Sequence, residues 1–466
     1  MSRAGAGIDP ARRVAFDVLR AVSVREAYAN LVLPAAIRDA GLSGRDAAFA
    51  TELTYGTLRG QGSYDAVLAA CVNRRLDHLD PGLLEALRLG AHQLLAMRVP
   101  AHAAVSQTVA LVRAQLGHRT TGLANAVLRR VGADDLPTWL ARVAPPADAD
   151  PTGHRAVATS HPRWVVDALG AALEQEGAVL ELDALLGAHN VAPAVTLAAR
   201  PGAYDPSDLG AETGGAPGRW SPYAVVLPAG DPGAVAAVRS GRVGVQDEGS
   251  QLVAMALAAA PVLPAGATGR GERWLDLCAG PGGKAALLGG LAAGAGARLV
   301  ANDSSLHRTE LVRQAVGWLG DVVEVRTGDG RTIGATEPAA YDRVLVDAPC
   351  TGLGALRRRP ESRWRRSPAD VESLVALQYA LVASALDATR PGGVVAYSTC
   401  SPHVEETHGV VERVLIERAD VEVLDVRAAL DGVGGLAETL PDRPTMQLWP
   451  HRHGTDAMFV ALLRRT

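Results

Sequence analysis

The sequence predicts an α/β protein in which a doubly wound sheet follows an all-α domain and a small α/β subdomain. Three observations predict this. First, 466 residues exceed what one hydrophobic core usually supports, and the 48% hydrophobic and 21% charged fractions are typical of a folded protein. Second, residues 9 to about 140 carry only helical patterns. Third, strand and helix patterns alternate from about residue 246 onward, which favours parallel strands joined by crossover helices.

The N-terminal part, residues 1–143, is predicted to be a helical domain. Gly60, Pro81, Pro100 and Gly117 separate its helical segments, and these residue types end helices or precede new ones. Four segments space their apolar residues by three and four positions with no strand-like run between them: ARRVAFDVLRAV, SGRDAAFATELTYGTLRG, PGLLEALRLGAHQLLAM and AHAAVSQTVALVRAQ.

Two further regions precede the main sheet. Residues 144–158 contain APPADADPTG, a composition typical of a linker. Residues 159–245 start with a helical pattern near Ser160 and continue, from Ala194, with short strand-like pieces between Gly and Pro residues. We therefore predict a linker and then a small α/β subdomain.

Residues 246–466 are predicted to form the main sheet. The strand-like runs are ERWLDLCAG, ARLVANDS, VVEVRTGD, YDRVLVDAP and GGVVAYSTC. The final run, AMFVALLRR, is expected to be an antiparallel strand at the edge. Open α/β sheets bind ligands at the carboxyl ends of their strands, so residues at those ends are the first candidates for chemistry.

Charge, cysteine usage and hydropathy limit the classes of function. A formal net charge of −4 excludes a protein that is basic throughout, so any RNA site must be a local patch. Four scattered cysteines without a CxxC favour reduced thiols in the cytoplasm over a secreted disulfide scaffold. The N-terminus mixes Arg12 and Asp17 into its apolar pattern, unlike a signal peptide. The longest apolar stretch, residues 252–269, contains Pro261 and Pro264 and indicates a buried helix rather than a membrane span.

A glycine-rich turn, CAGPGGK at residues 278–284, follows the first strand of the main sheet. Gly280, Gly282 and Gly283 allow the backbone to approach a ligand closely and to present amides at a helix N-terminus. The turn is neither a Walker loop nor a GxGxxG motif, and by itself it is as often only a tight corner. Lys284 ends the turn and is the only lysine among the 46 Lys and Arg residues of the sequence. Because an ammonium and a guanidinium are not interchangeable at a tight site, we expect Lys284 to have a specific role.

Two aspartates end the next two strands. Asp303 lies 23 positions after Gly280, where an acidic residue typically accepts hydrogen bonds from ribose hydroxyls, and Asp329 is placed to meet an adenine amino group. Either aspartate alone is more typical of a helix cap or a turn. Together with the glycine turn they favour a cofactor that contains adenosine, with NAD as the competitor of S-adenosylmethionine.

Two thiols decide between those cofactors. Cys350 and Cys400 each follow a strand-like run, whereas hydride transfer would use neither. Carbon 5 of a pyrimidine becomes nucleophilic only after a thiolate adds to carbon 6, and a base must then remove the carbon-5 proton. Asp347, three residues before Cys350, is expected to hydrogen-bond the amino and ring-nitrogen edge of a cytosine. The alternative is a pair of ordinary strand-end cysteines.

An arginine-rich segment follows Cys350. Six guanidiniums and one indole within ten residues indicate phosphate contacts and base stacking, although a solvated loop is the alternative. The predicted RNA-binding residues are Arg357, Arg358, Arg359, Arg363, Trp364, Arg365 and Arg366. A second polar segment, 451–456, lacks a wider ligand cluster and is interpreted as a structural or RNA-facing loop rather than a metal site.

These motifs resemble a known family. The C-terminal half is similar to the RNA 5-methylcytosine methyltransferases of the Nop2/Sun type. The whole chain resembles the bacterial small-subunit ribosomal RNA methyltransferase B (Sun/Fmu) family, which carries a NusB-like helical domain in front. The matching segments are CAGPGGK (278–284), Asp303, Asp329, DAPC (347–350) and STC (398–400), with RDAAFATELTYGTLRG, LRLGAHQLL, VPAHAAVSQTV and GLANAVLRR in the helical part. Gln246, Asp247, Ser250 and Gln251 match the family's entry into the methyltransferase domain.

The resemblance implies the roles of the site residues. Cys400 would be the nucleophile and Cys350 the base or release cysteine, although DNA cytosine methyltransferases use the thiol after proline as nucleophile. Asp347 and Lys284 would lie at the target base. The residues implied at S-adenosylmethionine are Cys278, Ala279, Gly280, Pro281, Gly282, Gly283, Lys284, Asp303, Asp329 and Asp347. One departure, LAARPG at 197–202 in place of an Arg-Val-Asn-like turn, concerns RNA contacts of the small subdomain.

The resulting expectation is a Rossmann-like, S-adenosylmethionine-dependent RNA (cytosine-5)-methyltransferase. Its expected substrate is small-subunit (16S) ribosomal RNA, bound in part by the helical domain, with the target base flipped out to reach both thiols. We expect a cytoplasmic monomer without metal or membrane. The alternatives are the same chemistry on transfer RNA, and an RNA-binding assembly factor with a vestigial site.

Overall fold

Helices account for the N-terminal part of the chain. The structure is a computed structural model that describes residues 8–264 and 271–466. Helices often begin at an aspartate followed by proline: the Asp9 and Asp80 carboxylates accept backbone N–H bonds from the first turn of their helices. The α-helices up to residue 188 are α1 (Pro10–Arg25), α2 (Ala29–Asp39), α3 (Gly44–Cys71), α4 (Pro81–Leu95), α5 (Ala101–Leu116), α6 (Thr121–Val131), α7 (Leu136–Val143), α8 (Pro151–Ala158), α9 (Arg163–Glu174) and α10 (Leu182–Ala188).

The predicted linker at 144–158 is wrong in its second half. Residues Pro151–Ala158 form helix α8, because the Asp150 carboxylate accepts the Gly153 N–H at 2.9 Å and Pro151 occupies the first helical position. Residues 8–170, 180–192 and 356–365 form one compact unit, and 171–179, 193–264, 271–355 and 366–466 form a second. The first unit therefore extends beyond the predicted boundary at residue 158 and includes a segment far along the chain.

The small subdomain lies within the second unit. Its elements are β1 (Thr196–Ala199), α11 (Pro206–Thr213), β2 (Ala216–Pro217), β3 (Ala224–Val226), α12 (Ala236–Arg239) and β4 (Val243–Val245). The strands pair antiparallel in the order β2-β3-β1-β4. The strand-like pieces predicted here, AVTLAAR, YAVVLPA and RVGVQD, contain β1, β3 and β4, and the two-residue β2 adds to them.

Within residues 8–264 and 271–466, the main sheet has eight strands. Its elements are α13 (Glu248–Ala259), β5 (Arg273–Asp276), α14 (Gly283–Gly294), β6 (Arg298–Asp303), α15 (Leu306–Val316), β7 (Val323–Thr327), α16 (Ile333–Thr336), β8 (Tyr341–Asp347), α17 (Ser362–Arg365), α18 (Pro368–Ala388), β9 (Thr389–Thr399), α19 (His408–Glu417), β10 (Val421–Leu424), α20 (Val426–Ala429), β11 (Met446–Gln447), α21 (Pro450–His453) and β12 (Phe459–Arg465). The strand order is β10-β12-β9-β8-β5-β6-β7, and β11 pairs with β12. Helix α17 belongs to the first compact unit.

The order reverses between β5 and β8, which are parallel neighbours although two strands, β6 and β7, lie between them in sequence. Such a switch point opens a crevice beyond the carboxyl ends of the strands, and the glycine turn and Asp347 both lie there. The last strand, β12, is antiparallel to β9 as predicted, but it lies between β9 and β10 rather than at the edge. The four-residue β10 was not predicted and occupies the edge.

Helix α18 is the one described helix that is long and apolar enough to cross a membrane by length and composition. Its residues Leu381, Val382, Ala385 and Leu386 are at most 4% exposed and belong to the core that covers one face of the sheet. The helix therefore packs as a core element of the second unit. The apolar stretch at 252–269 begins within helix α13, which ends at Ala259. Residues 265–269 of the stretch lie outside the described residues.

Candidate active site

The glycine turn lies tightly over the end of β6. The peptide bond Gly280–Pro281 is cis, and Gly282 has a φ of 111°, which favours glycine. A Cβ on Gly280 would meet a carboxylate oxygen of Asp303 at 2.6 Å, so a larger residue does not fit. The Gly280 N–H instead donates to that oxygen at 3.0 Å. The turn therefore leaves backbone surface open at the switch point.

The two aspartates at the strand ends differ in their surroundings. Asp303 is 3% exposed and also accepts the Ser305 N–H at 2.9 Å. Asp329 is half-exposed, accepts the Arg331 N–H at 3.0 Å and forms an ion pair with the Arg331 guanidinium at 2.6 Å. Asp329 thus fills the cap role that such a residue commonly has, and its predicted contact with adenine stays a prediction.

Asp276, the last residue of β5, was not singled out from the sequence. It is fully buried, and neither carboxylate oxygen has a hydrogen-bond partner among the described residues. Burial, followed by the charge of Asp347, raises the pKa of Asp276 to about 8, against the opposing effect of Lys284. Its place directly before the glycine turn was the signal that could have identified it. Buried acceptors of this kind suit a ligand that brings its own donor.

Lys284 and Asp347 form an ion pair at the centre of the site. The Lys284 ammonium donates to Asp347 at 2.8 Å, and the hydroxyl of Ser398 donates to the other Asp347 oxygen at 3.1 Å. Burial acts to lower the pKa of Lys284, but Asp347 and the neighbouring Cys400 outweigh it, so that pKa is raised. The lysine therefore carries a positive charge beside the thiols.

The structure brings Cys350 and Cys400 together. Strands β8 and β9 are parallel, with Asp347 opposite Ser398, and the two sulfur atoms that follow these strands lie 3.4 Å apart. The hydrogen bond to Cys400, then burial, raises the pKa of Cys350 well above its usual value. Burial and the charges of Asp276 and Asp347 likewise raise the pKa of Cys278, which keeps that thiol protonated. The arrangement can hold one thiolate shared between a pair of sulfurs.

A buried polar cluster adjoins the two cysteines and was missed from the sequence. Glu406 is fully buried and accepts hydrogen bonds from Thr351 and Gln378, and Thr351 is hydrogen-bonded to Ser401. Thr351 and Ser401 each follow one of the paired cysteines. Nothing in the local sequence marks Glu406, since its partners lie 55 and 28 positions earlier.

Arg363 does not lie on an RNA-facing surface, contrary to the prediction for the arginine-rich segment. Its side chain is fully buried within the first compact unit. The guanidinium donates to the carbonyls of Arg59, Ser160 and His189 and to the side-chain oxygen of Asn190, at 2.8–3.1 Å. Burial lowers the pKa of Arg363 to about 9. These acceptors offset the cost of burying the cation, so Arg363 is a structural residue.

The other residues of the segment divide into two sets. Arg365 donates to the carbonyls of Val22 and Ala27, and Arg357 is 7% exposed. Arg358 is half-buried. By contrast Arg359, Trp364 and Arg366 keep exposed or half-exposed side chains, with Arg359 over the Tyr28 ring and Arg366 at 3.9 Å from Asp370. The RNA contacts of this second set, and those of Arg358, whose exposure is intermediate like that of Arg366, stay predictions.

The segment 451–456 makes structural contacts. The Trp449 N–H donates to the ring of His453 at 2.8 Å, burial lowers the pKa of His453 to about 4, and the Asp456 N–H donates to Asp247 at 3.0 Å. Asp247 also caps helix α13. Within the described ranges, no group of three or more His, Cys, Asp or Glu residues could hold a metal ion.

The fold and the site define a class of protein: a methyltransferase domain with a mixed α/β sheet, preceded by an all-helical domain of the NusB type. Residues 267–464 match the family model described as 16S rRNA methyltransferase RsmB/F, and residues 9–133 match the NusB family. The chain is similar to the "Putative methyltransferase Rv1407" of Mycobacterium tuberculosis, with 54% identity over 98% of this chain and 97% of that one.

Two further comparisons agree. The ribosomal RNA small subunit methyltransferase B of Erwinia tasmaniensis is 30% identical over 93% of each chain. The crystal structure of PH0851 is similar with a TM-score of 0.81 at 20% identity, covering 99% of this chain and 100% of that one, which supports the fold alone. The chain belongs to the 16S rRNA methyltransferase RsmB/F family.

Proposed function

We propose that this protein transfers a methyl group from S-adenosylmethionine to carbon 5 of a cytosine in small-subunit (16S) ribosomal RNA. The observation that carries the proposal is the pair of sulfurs, Cys350 and Cys400, 3.4 Å apart beside the Lys284–Asp347 ion pair. Family membership supports a ribosomal RNA substrate, and the relative from Erwinia tasmaniensis is named for the small subunit. We extend this expectation to a monomer that acts in the cytoplasm.

The residues around the glycine turn fit the cofactor. The backbone of residues 278–283 would face it, because the turn follows the carboxyl end of β5 at the switch point of the sheet. The partnerless oxygens of Asp276 would accept the cofactor's ammonium group, Asp303 would accept ribose hydroxyls, and Asp329 would meet the adenine amino group. When bound, S-adenosylmethionine supplies an electrophilic methyl group at the carbon-5 position.

The chain's own residues carry the remaining steps. The Cys400 thiolate forms a bond to carbon 6 of cytosine, and the electron pair of the 5,6 double bond becomes available at carbon 5. Carbon 5 takes the methyl group. Because Cys400 is by then bonded to carbon 6, its sulfur no longer raises the pKa of Cys350, and the Cys350 thiol releases its proton to water. The Cys350 thiolate accepts the carbon-5 proton, the 5,6 double bond re-forms, and Cys400 leaves as a thiolate. One proton is released overall, because a methyl cation replaces a hydrogen.

Charges near the sulfurs support this division of roles. Lys284 carries its positive charge close to Cys400 and favours a thiolate there. Glu406 and Asp347 instead add to the high proton affinity of Cys350. A sulfur that holds its proton tightly is poorly suited as the attacking thiolate and well suited to accept a proton. Asp347 would orient the cytosine through its amino and ring-nitrogen edge.

We propose that RNA binding uses the helical domain together with Arg359, Trp364 and Arg366. These three residues keep exposed or half-exposed side chains in the arginine-rich segment. A guanidinium contacts phosphate, and an indole stacks on an unpaired base. The target cytosine must leave its stack before carbon 6 can reach Cys400.

The test compares wild type with Cys350→Ala, Cys400→Ala and the matched control Cys71→Ala, a free cysteine buried in the core of the helical domain. Each protein is incubated with methyl-labelled S-adenosylmethionine and either protein-free small-subunit rRNA, small-subunit particles or transfer RNA, and is then run on denaturing gels. We expect Cys350→Ala to accumulate a covalent RNA adduct, because release requires that thiol. Cys400→Ala should neither form the adduct nor methylate, and Cys71→Ala should retain methylation.

Other outcomes would contradict specific parts of the proposal. An adduct in Cys400→Ala would reverse the roles of the two thiols. If label appeared in transfer RNA alone, transfer RNA rather than small-subunit rRNA would be the substrate. No label from wild type on any of the three RNAs would favour an assembly factor with a vestigial site.

A further inference from the structure

We propose that Glu406 is a positioning residue that holds the two cysteine loops against each other for the reaction above. The proposal rests on that function for its catalytic meaning, but it is carried by a separate set of contacts. The hydrogen bonds of Glu406 described below are made to Thr351, which follows Cys350 in the chain, and to Gln378. Glu406 acts through these residues.

The first contacts hold the loop of Cys350. One oxygen of Glu406 accepts the Thr351 N–H at 2.8 Å, and the other accepts the Thr351 hydroxyl at 2.5 Å. Gln378, on helix α18, donates from one amide nitrogen both to Glu406 at 3.1 Å and to the Pro349 carbonyl at 2.8 Å. Both neighbours of Cys350 in the chain are therefore fixed to one cluster.

The second contacts reach the loop of Cys400. The Thr351 hydroxyl lies 2.9 Å from the hydroxyl of Ser401, the residue after Cys400. The two loops also meet through the backbone, where the Gly354 N–H donates to the Cys400 carbonyl at 2.9 Å. A Cβ on Gly354 would lie 2.8 Å from that carbonyl oxygen. These hydrogen bonds, which centre on the Glu406 carboxylate, hold the two loops together and thereby fix the distance between the two sulfur atoms.

The charge of Glu406 has a consequence for the thiols. The carboxylate is fully buried, and the partners described above are neutral donors, so its charge is poorly screened. It lies on the Cys350 side and adds to the causes that raise the pKa of that thiol, while Lys284 faces Cys400. Asp347 and the Cys400 sulfur act on Cys350 in the same direction. Burying a carboxylate is costly, and a neutral core side chain would avoid that cost.

The experiment uses full-length Glu406→Gln, which keeps the size of the side chain and removes its charge. Glu248→Gln is the matched control. Glu248 is also a buried carboxylate, and it accepts three backbone N–H bonds, from Arg219, Trp220 and Ser221, with N···O distances of 2.7–3.2 Å. Thr351→Val is a second variant that breaks the link to Ser401 and keeps the charge. The readouts are steady-state kinetics, adduct on denaturing gels, and the pH dependence of iodoacetamide alkylation of each cysteine, read by peptide mass spectrometry.

We expect Glu406→Gln to lower kcat at least tenfold, with the KM for S-adenosylmethionine changed less than twofold, and to accumulate adduct because Cys350 is misplaced. Alkylation of Cys350 should shift toward lower pH in this variant, since a negative charge is lost. Thr351→Val should lower kcat and accumulate adduct without that shift. Glu248→Gln should keep the wild-type kcat and alkylation curve.

Wild-type kcat and alkylation in folded Glu406→Gln would overturn the proposal, as would an equal loss in Glu248→Gln. Should Glu406→Gln fail to fold, Thr351→Val decides alone, and unchanged kcat without adduct in that variant would overturn it. The alkylation readout needs neither RNA nor cofactor. A wild type that methylates nothing would therefore overturn the proposed function, whereas an unshifted Cys350 curve would overturn the role of Glu406.

Discussion

At the scale of single residues, buried charge determines the ionisation of the side chains in this site. Lys284 lies near two carboxylates at the carboxyl ends of the neighbouring strands β5 and β8, and it forms an ion pair with one of them, Asp347. The other, Asp276, is fully buried and has no hydrogen-bond partner in the described part of the chain. A charge without a partner in such a place destabilises the fold. The protonation of Asp276 should therefore be visible in stability.

Replacing Asp276 with Asn should stabilise the cofactor-free protein increasingly as the pH rises. The folded-state pKa of Asp276 is about 8, against 3.8 for the ordinary carboxyl, so between these values the folded state binds more protons and stability falls with rising pH. The variant lacks this loss and should gain up to about 5 kcal/mol relative to wild type at pH 8, at about 1.4 kcal/mol per pKa unit. Calorimetric Tm values at pH 5 and pH 8 measure it.

Asp425→Asn serves as a control of opposite sign. Asp425 caps helix α20, and its pKa is lowered by Arg427, so its charged form stabilises the fold above the pKa of the unfolded chain. Its replacement should cost stability at pH 8 rather than add to it. A Tm difference between Asp276→Asn and wild type that is equal at both pH values would rule out the buried-charge explanation.

At the scale of secondary-structure elements, the LAARPG segment has a packing role. Arg200 follows strand β1, is 7% exposed and donates to the carbonyls of Gly241 and Ala315. Burial lowers the pKa of Arg200 to about 10. A Cβ on Gly290 of helix α14 would meet the Pro201 carbonyl at 2.7 Å. The LAARPG segment thus packs the end of strand β1 against helices α14 and α15.

Arg200→Ala should loosen this junction. Two carbonyl groups lose their donor in a buried setting, and each unsatisfied group costs roughly 1–3 kcal/mol. We expect a lower Tm and faster proteolysis within residues 203–242. Arg239→Ala is the matched control, because Arg239 also donates to two carbonyls, those of Gly233 and Ala234, but at the surface. An equal loss in both variants would mean that burial is not what makes Arg200 important.

Strands and helices were predicted correctly from the sequence where a local pattern of apolar residues determines them. The parallel strands β5, β6, β7, β8 and β9 lie where strand-like runs were identified, and the convergence of Cys350 with Cys400 follows from parallel strands ending at one edge. Prediction failed where long-range partners decide. Strand β10 has only four residues and needs β12 beside it. The Glu406 cluster likewise depends on residues brought together by β8, β9 and α18.

At the scale of the whole chain, the segment 356–365 belongs to the helical unit although it follows Cys350 and strand β8 in sequence. Six guanidiniums and one indole within ten residues are typical of phosphate contacts and base stacking, and for that reason an RNA-binding patch was predicted here. The acceptors of Arg363 lie up to 304 positions earlier, so no local pattern could reveal its burial. The Glu361 carboxylate likewise accepts the Ala29 N–H at the start of helix α2. Folding of the helical unit therefore requires a segment synthesised after most of the sheet's parallel strands.

Replacing Arg363 with Ala should lower the stability of the helical unit, and it should not remove a direct contact with RNA. Four acceptors would lose a buried donor, which we expect to cost roughly 3 kcal/mol or more. Native-state hydrogen exchange should show faster exchange of amides around Arg59, Ser160 and His189, with unchanged protection in strands β5–β9. Arg366→Ala, at a half-exposed position, should leave exchange unchanged and weaken RNA binding more strongly at low salt than at high salt. If Arg363→Ala weakened RNA binding while leaving Tm and exchange untouched, the interior role of Arg363 would be wrong and the original surface interpretation of the whole segment would stand.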